Sequence, residues 1–324
     1  MPRCHRIIAS EKTLQVILTE PIHPVPLARL REAAEVVAWD DPRSADWSHA
    51  DAIIVRAAPV TRARISSARR LKVIGKHGIG VNAIDVQAAR EHGVQVVYTP
   101  TANVNSVAEL IVGFMLALMR KLPDNMRMLR AGAARISPTE LTGTELGGKT
   151  LGLVGLGRIS QRVAEICRFG FGMEVVGYDP FLPADRFAEL GIVHHATLDA
   201  LLAASDVVSV SVPYTPQTRH LIGEAQLRLC RPGALLINTA RGGVVDEIAL
   251  ADALRRGLLA GAACDVFETE PPPPQHPLLA LPNFLGSLHV GASTNEALLR
   301  VGNTVVSDVL AVLRGEKPEF PYLS

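Results

Sequence analysis

Aromatic residues make up only 4% of the 324-residue chain, and no charge of either sign is in excess. Lysine and arginine number 33 against 32 aspartates and glutamates, a formal net charge of +1. A chain so balanced lacks the basic surplus of nucleic-acid binders, so no nucleic-acid partner is expected. Cysteine is also scarce. Cys4, Cys167, Cys230 and Cys264 stand far apart, without the paired spacing of metal ligands, so neither a metal nor a disulfide is expected. They read as small apolar residues of a reducing compartment. Long hydrophobic runs are missing as well. The longest, Leu110 to Met119, is about half of what spans a bilayer and reads as a buried helix. Met1 to Ser10 carries basic residues but no signal-peptide core. The expectation is a cytoplasmic chain with no membrane partner.

What is present is abundant core. Hydrophobic residues reach 48%, and at roughly 150 residues per domain the length predicts two domains. Short β-branched runs alternate with helical stretches, the pattern of α/β architecture with parallel sheets. Gln15 to Thr19 reads as a first strand and Pro26 to Ala34 as its helix. Val36 to Trp39, Ala52 to Val55, Val73 to Gly75 and Val94 to Tyr98 are further strands of a first unit ending near Pro100. A long apolar helix is predicted over Asn105 to Lys121, with Glu109 in its first turn. From Thr150 a second series follows: TLGLVG, EVVGYD, DVVSVSV, ALLINTA and AGAACDV, with helices over Gln161 to Arg168 and Ile248 to Arg256 between them. That spacing is doubly wound. Asp51 and Asp206 each open an apolar strand that runs to a proline, Pro59 and Pro213, a faint echo between the units. Pro271 to Pro274 reads as a stiff surface loop. The last helix, Asn295 to Arg314, should end at Gly315. No appended regulatory domain is legible after it.

The strand Thr150 to Gly155 runs into Gly155-Leu156-Gly157-Arg158-Ile159-Ser160. Glycines there let the backbone approach a pyrophosphate, and the following helix offers unpaired amides to that anion. A plain turn would use the same glycines, but the next strand ends at Asp179, 22 positions beyond Gly157. A carboxylate at that point can accept hydrogen bonds from both adenosine ribose hydroxyls and repels a 2′-phosphate. Pro180, Phe181 and Leu182 supply no arginine to receive one. NAD is therefore favoured over NADP. A helix N-cap is the structural alternative for Asp179.

Three further residues suit hydride transfer on a 2-hydroxy acid, where the protein supplies orientation, a cation and an acid/base. Arg241 follows the strand ALLINTA, at a carboxyl end where α/β sheets bind ligands, and a guanidinium can grip carboxylate and carbonyl oxygens together. A salt bridge to Asp246 or Glu247 is the alternative. Glu270 closes the segment Asp265 to Glu270, and His289 lies in SLHVGAS. A glutamate beside that histidine would stabilise imidazolium, suiting a proton donor for reduction and, once neutral, a base for oxidation.

With these motifs together (GKTLGLVGLGRIS and YDP, INTARGGVVDE, DVFETEPP and LHVGAST) the chain strongly resembles the D-isomer-specific 2-hydroxyacid dehydrogenases, near the 3-phosphoglycerate dehydrogenase and hydroxypyruvate reductase branch. The resemblance runs from about Asp51 to Gly315. It implies that Arg241, Glu270 and His289 are the catalytic residues. It places cofactor contacts on Gly155, Gly157, Arg158, Ile159, Asp179, Val212, Pro213, Thr239, Ala240, Asp265, Gly291 and Ala292, with Asp265 on the nicotinamide carboxamide. Substrate contacts fall on Arg56, Ile79, Gly80 and Asn103, the second and third within a loop, Lys76 to Gly80, whose amides bind the carboxylate. It implies two Rossmann-like doubly wound domains with a cleft between them: a flavodoxin-like substrate domain of 1–103 with 290–324, and an NAD-binding domain of 104–289. A homodimer joined through the cofactor domains is implied too.

Departures from the family pattern are Ser160 for the third glycine, Leu288 for the proline before the histidine, Cys264 for leucine, Ser211 for histidine and Asn82 for aspartate. Ala133 to Leu146 lacks the usual tryptophan motif. None removes a catalytic group. The expected function is reversible hydride transfer between NADH and a small 2-keto acid of the hydroxypyruvate, glyoxylate or 3-phosphohydroxypyruvate type. Scarce aromatics give no support to a large apolar acid, while Arg56 and Lys76 could receive a phosphate. The competing reading is an NAD(H)-sensing corepressor-like binding protein of the same fold, which would lack turnover. A formate dehydrogenase would pair its histidine with glutamine, where this chain has Glu270.

Overall fold

The computed structural model describes residues 14–132 and 141–323. The readings of Cys4, of Met1 to Ser10 and of 133–140 lie outside the described residues. The chain divides into two compact units, Met1–Asn103 with Thr294–Ser324, and Val104–Ser293.

The first unit holds a five-stranded, wholly parallel sheet. Its strands are β1 (Gln15–Leu18), β2 (Glu35–Val37), β3 (Ala52–Val55), β4 (Val73–Lys76) and β5 (Gln95–Val97), in the order β2-β1-β3-β4-β5. That is a flavodoxin-like order. Crossovers run through α1 (Pro24–Ala33), α2 (Arg62–Ser67) and α3 (Val86–Glu91). The sheet is covered on both faces, so β3 and β4 are buried at every position instead of alternating. The C-terminal helix, Asn295–Leu313, packs Val305, Val306, Val309 and Leu310 into one of the two cores.

The second unit opens with α4 (Val104–Met119) and α5 (Leu122–Arg130). A seven-stranded parallel sheet follows: β6 (Thr150–Val154), β7 (Glu174–Tyr178), β8 (Val193–His194), β9 (Val207–Val210), β10 (Leu235–Asn238), β11 (Gly261–Cys264) and β12 (Phe284–Gly286). Their order is β12-β11-β10-β9-β6-β7-β8. The connecting helices are α6 (Arg158–Phe171), α7 (Ala184–Glu189), α8 (Leu198–Ala204), α9 (Glu224–Leu229) and α10 (Glu247–Arg255). The direction of winding reverses between β6 and β9, and the glycine-rich loop leaves β6 at that switch point, where such folds bind ligands.

Several boundaries differ from the sequence reading. α4 begins at Val104, so Glu109 lies beyond its first turn and accepts a hydrogen bond from Asn105 at 2.5 Å. α6 starts three residues earlier than periodicity indicated, because its N-cap is Gly157 of the phosphate-type loop and not a polar side chain. The second unit extends through Ser293, past the expected limit at His289. Asp265 accepts the amides of Val290 and Gly291, and Ser106 donates to the Gly291 carbonyl, so these residues are tied to the second unit.

The echo between Asp51 and Asp206 has a structural basis. Asp51 accepts the Gln15 amide at the start of β1, and Asp206 accepts the Thr150 amide at the start of β6. Each also meets an arginine, Arg70 and Arg231 respectively. Both aspartates thus pin the first strand of their sheet to its neighbour. Among the described residues Cys167, Cys230 and Cys264 are buried free thiols. Burial pushes Cys167 up to about 12 and Cys230 up to about 11, so both stay protonated and behave as apolar groups. No described helix is long and apolar enough to cross a membrane.

Candidate active site

The dinucleotide loop is built by close approach. Gly155 has φ +85°, and a Cβ there would stand 2.8 Å from both the Ser211 carbonyl oxygen and a Val212 methyl. Gly157 caps α6 without any side-chain hydrogen bond to its helix, and a Cβ on it would meet nothing within 4 Å. The first amides of α6 are therefore left to an outside acceptor, in front of open space. A pyrophosphate fits that need. Arg158 and Ile159 form the first turn, and Ser160 is fully buried with its hydroxyl unpartnered in the small third position.

Asp179 is not a helix N-cap, since α7 begins at Ala184 behind Pro183. One carboxylate oxygen accepts the Leu156 amide at 2.9 Å and the other the Phe181 amide at 3.0 Å. The carboxylate is thus fixed against the glycine loop, with a second lone pair on each oxygen still available. Val212, Thr239 and Ala240 line the carboxyl ends of β9 and β10 half-buried, while Pro213 is exposed.

The segment after β11 brings Glu270 and His289 together. His289 Nδ1 lies 2.8 Å from one Glu270 carboxylate oxygen, and the other accepts the Phe267 amide at 3.1 Å. Burial pushes Glu270 up, but the hydrogen bond and charge of His289, the Phe267 amide and Arg241 outweigh it and hold the group below its ordinary value. Arg241 is not bridged to Asp246 or Glu247. Asp246 caps α10 through the Ile248 and Ala249 amides, and Glu247 pairs with His276. Burial of the Arg241 guanidinium lowers its pKa, and the Glu270 charge opposes that. Arg241 is half-buried, donates to the Ala240 carbonyl at 2.6 Å and feels the charge of Glu270.

Asp265 is only 2% exposed and already takes Ser287 Oγ at 2.5 Å and the Val290 and Gly291 amides at 2.8 Å each. Its visible work is to shape the turn that carries His289, whose φ is 51° and whose amide donates to the Asp265 carbonyl at 2.7 Å. A nicotinamide amide could reach only what those three donors leave. Ser287 is a partner that sequence reading missed, because nothing in SLHVGAS distinguishes a hydroxyl that builds a turn from one that faces solvent.

In the first unit, Arg56 heads a turn whose three amides, Arg56, Ala57 and Ala58, donate to the Glu20 carboxylate at 2.8, 2.7 and 2.6 Å. Sequence reading missed Glu20 too; only its place just after β1 hinted at it. Lys76 donates to the Arg56 carbonyl and is buried. His77 and Asn103 are buried with Nε2 and Oδ1 unpartnered, while Ile79 and Gly80 are half-exposed. These residues gather at the carboxyl ends of β3 and β4 and the end of the first unit's chain segment. Arg241, Glu270 and His289 gather in the second.

A switch-point glycine loop, a carboxylate fixed against it and a histidine–glutamate pair within the charge range of an arginine suit the class of dinucleotide-dependent dehydrogenases. The model of the D-isomer specific 2-hydroxyacid dehydrogenase NAD binding domain matches residues 112–291, all within the second unit. The chain belongs to the D-isomer-specific 2-hydroxyacid dehydrogenase family. It is 41% identical to a D-3-phosphoglycerate dehydrogenase of Methanocaldococcus jannaschii over 311 residues, 94% of this chain and 59% of that enzyme. A glyoxylate reductase of Thermofilum pendens is 38% identical over 318 residues, 94% of this chain and 93% of that one. Among solved structures, the TT0316 protein of Thermus thermophilus superposes with a TM-score of 0.87 at 36% identity, covering 96% of this chain and 100% of that one. The chain spans little more than half of the length of the phosphoglycerate dehydrogenases that it matches.

Proposed function

We propose that the protein is an NAD-dependent D-2-hydroxyacid dehydrogenase acting reversibly on a small 2-keto acid of the hydroxypyruvate, glyoxylate or 3-phosphohydroxypyruvate type. The observation that carries this is the His289–Glu270 hydrogen bond beside Arg241, in the unit that also bears the dinucleotide loop. Bound NADH supplies the hydride. The protein's own residues do the rest. Arg241 holds the substrate's carboxylate and carbonyl oxygens and polarises the carbonyl. Glu270, held ionised, engages Nδ1 of His289 and stabilises the imidazolium. That leaves Nε2 to donate its proton to the carbonyl oxygen as C2 becomes tetrahedral, and in the reverse direction to take it back. The first unit contributes substrate contacts from Arg56, Ile79, Gly80 and Asn103, as the family resemblance implies. The second unit, Val104–Ser293, serves as the cofactor domain.

The expected assembly is a homodimer. Leu122, Met126 and Leu129, 54%, 47% and 66% exposed on one helix of the second unit, supply the apolar face that such a contact needs. The buried free thiols Cys167, Cys230 and Cys264 support a cytoplasmic setting. The reaction is tested by following NADH absorbance over a panel of 2-keto acids. Turnover of hydroxypyruvate or glyoxylate supports the proposal. No turnover across the panel, with NADH still bound, favours the NAD(H)-sensing alternative.

A further inference from the structure

We propose that Glu247 and His276 are positioning residues that fix the loop carrying Glu270 against the turn carrying Arg241. This rests on the dehydrogenase reading only for what the positioned groups do.

Glu247 is the first residue of α10, yet its side chain does not serve that helix, which Asp246 already caps. Instead one carboxylate oxygen accepts the Glu268 amide at 2.7 Å, and the other lies 2.9 Å from His276 Nε2. The two side chains are 9% and 11% exposed. A carboxylate taken so far out of water is retained only when both oxygens are satisfied, and here they are satisfied by the loop and not by solvent. His276 does a second job, presenting its ring to the Phe267 ring edge-on, with centroids 5.6 Å apart at 78°. Phe267 is the residue whose amide holds Glu270.

Gly242, next to Arg241, touches the same loop from the other side. A Cβ there would fall 2.0 Å from the Phe267 carbonyl oxygen and 2.5 Å from the Glu268 nitrogen. Turn and loop are therefore in backbone contact, and Glu247 closes that contact with a hydrogen bond. A second clasp lies outside it: His220 Nε2 meets Glu268 at 2.9 Å, His220 Nδ1 lies 3.6 Å from Asp246, and the His220 amide donates to the Gly243 carbonyl at 2.7 Å. The titratable groups around Glu247 are thus His276, Glu268 and buried Cys264. Burial pushes Glu247 up, as a carboxylate so enclosed requires. The arrangement gives Arg241 and Glu270 one common frame, so the place of the Glu270 carboxylate relative to the Arg241 turn is set by Glu247 and not by a free loop.

The experiment compares Glu247→Ala, Glu247→Gln and His276→Asn with the parent, by hydroxypyruvate reduction, NADH binding and 15N-histidine NMR. The His289 Nδ1 resonance is assigned by its loss in His289→Asn. In Glu247→Ala it should move, kcat should fall about ten- to a hundredfold, and the NADH Kd should stay within about twofold. Glu247→Gln, whose amide oxygen can still accept the Glu268 amide, should restore both. Should Glu247→Ala fail to fold, His276→Asn carries the same expectations at smaller size. An unmoved His289 resonance in a folded variant overturns the proposal, as does a kcat within about twofold of an active parent. If the parent reduces no keto acid, the dehydrogenase reading falls while the resonance still decides the positioning.

Discussion

Nδ1 of His289 stands 2.8 Å from a carboxylate oxygen of Glu270, and the turn carrying His289 is closed by Asp265 through the Val290 and Gly291 amides. Glu270 therefore fixes which ring nitrogen is engaged, and Asp265 fixes where the ring sits. On the proposed mechanism the remaining nitrogen, Nε2, is the one that moves the proton.

His289→Ala should lower kcat for keto-acid reduction by about 100- to 10,000-fold, the range for a lost general acid. Arg241→Lys should fail nearly as badly as Arg241→Ala, since a point charge cannot grip two oxygens in one plane. Steady-state kinetics with NADH decide both. Retained kcat in either variant would remove that residue from the mechanism.

Glu270→Gln should keep the hydrogen bond and lose the charge. Reduction needs a protonated ring, and Glu270 is held ionised in the parent. In the variant the imidazolium loses its counter-charge, so kcat for reduction should fall about tenfold or more. Steady-state kinetics on both proteins give the answer, and an unchanged kcat would contradict it.

Asp179→Ala should raise the NADPH-to-NADH efficiency ratio, because the carboxylate no longer faces a 2′-phosphate. It should also weaken NADH itself about tenfold, since the same carboxylate anchors the Leu156 amide of the glycine loop. Comparable efficiency with NADPH in the parent would overturn the role given to Asp179.

His77 is buried, and desolvation first, then the charges of Arg56 and Lys76, push it down to about 4. A histidine that titrates near 6.5 when unfolded and near 4 when folded stabilises the fold fully above the first value. That stability is lost as pH falls through the interval between them, about 3 kcal/mol in all. Denaturant titrations at pH 7 and pH 4.5 should show a smaller difference in His77→Gln than in the parent. Equal differences would sink the argument.

Legibility differed from residue to residue for physical reasons. The strand, glycine turn and helix around Gly155 and Gly157 were readable because their signals lie within one local stretch of chain. The buried strands were readable because parallel sheets use unbroken apolar runs, as in Ala52–Val55. The two-residue strand β8 was not, since its residues are exposed and pattern no core. Glu20 and the Glu247–His276 pair were hidden for another reason: each satisfies backbone groups or a side chain far along the chain, and no local periodicity encodes such a partner.

The most direct test of the account follows the hydride. NADH carrying deuterium at both C4 positions, incubated with hydroxypyruvate and the protein, should yield D-glycerate with deuterium on C2, and His289→Ala should yield almost none. Glycerate without deuterium at C2, or of the L configuration, would contradict the assignment.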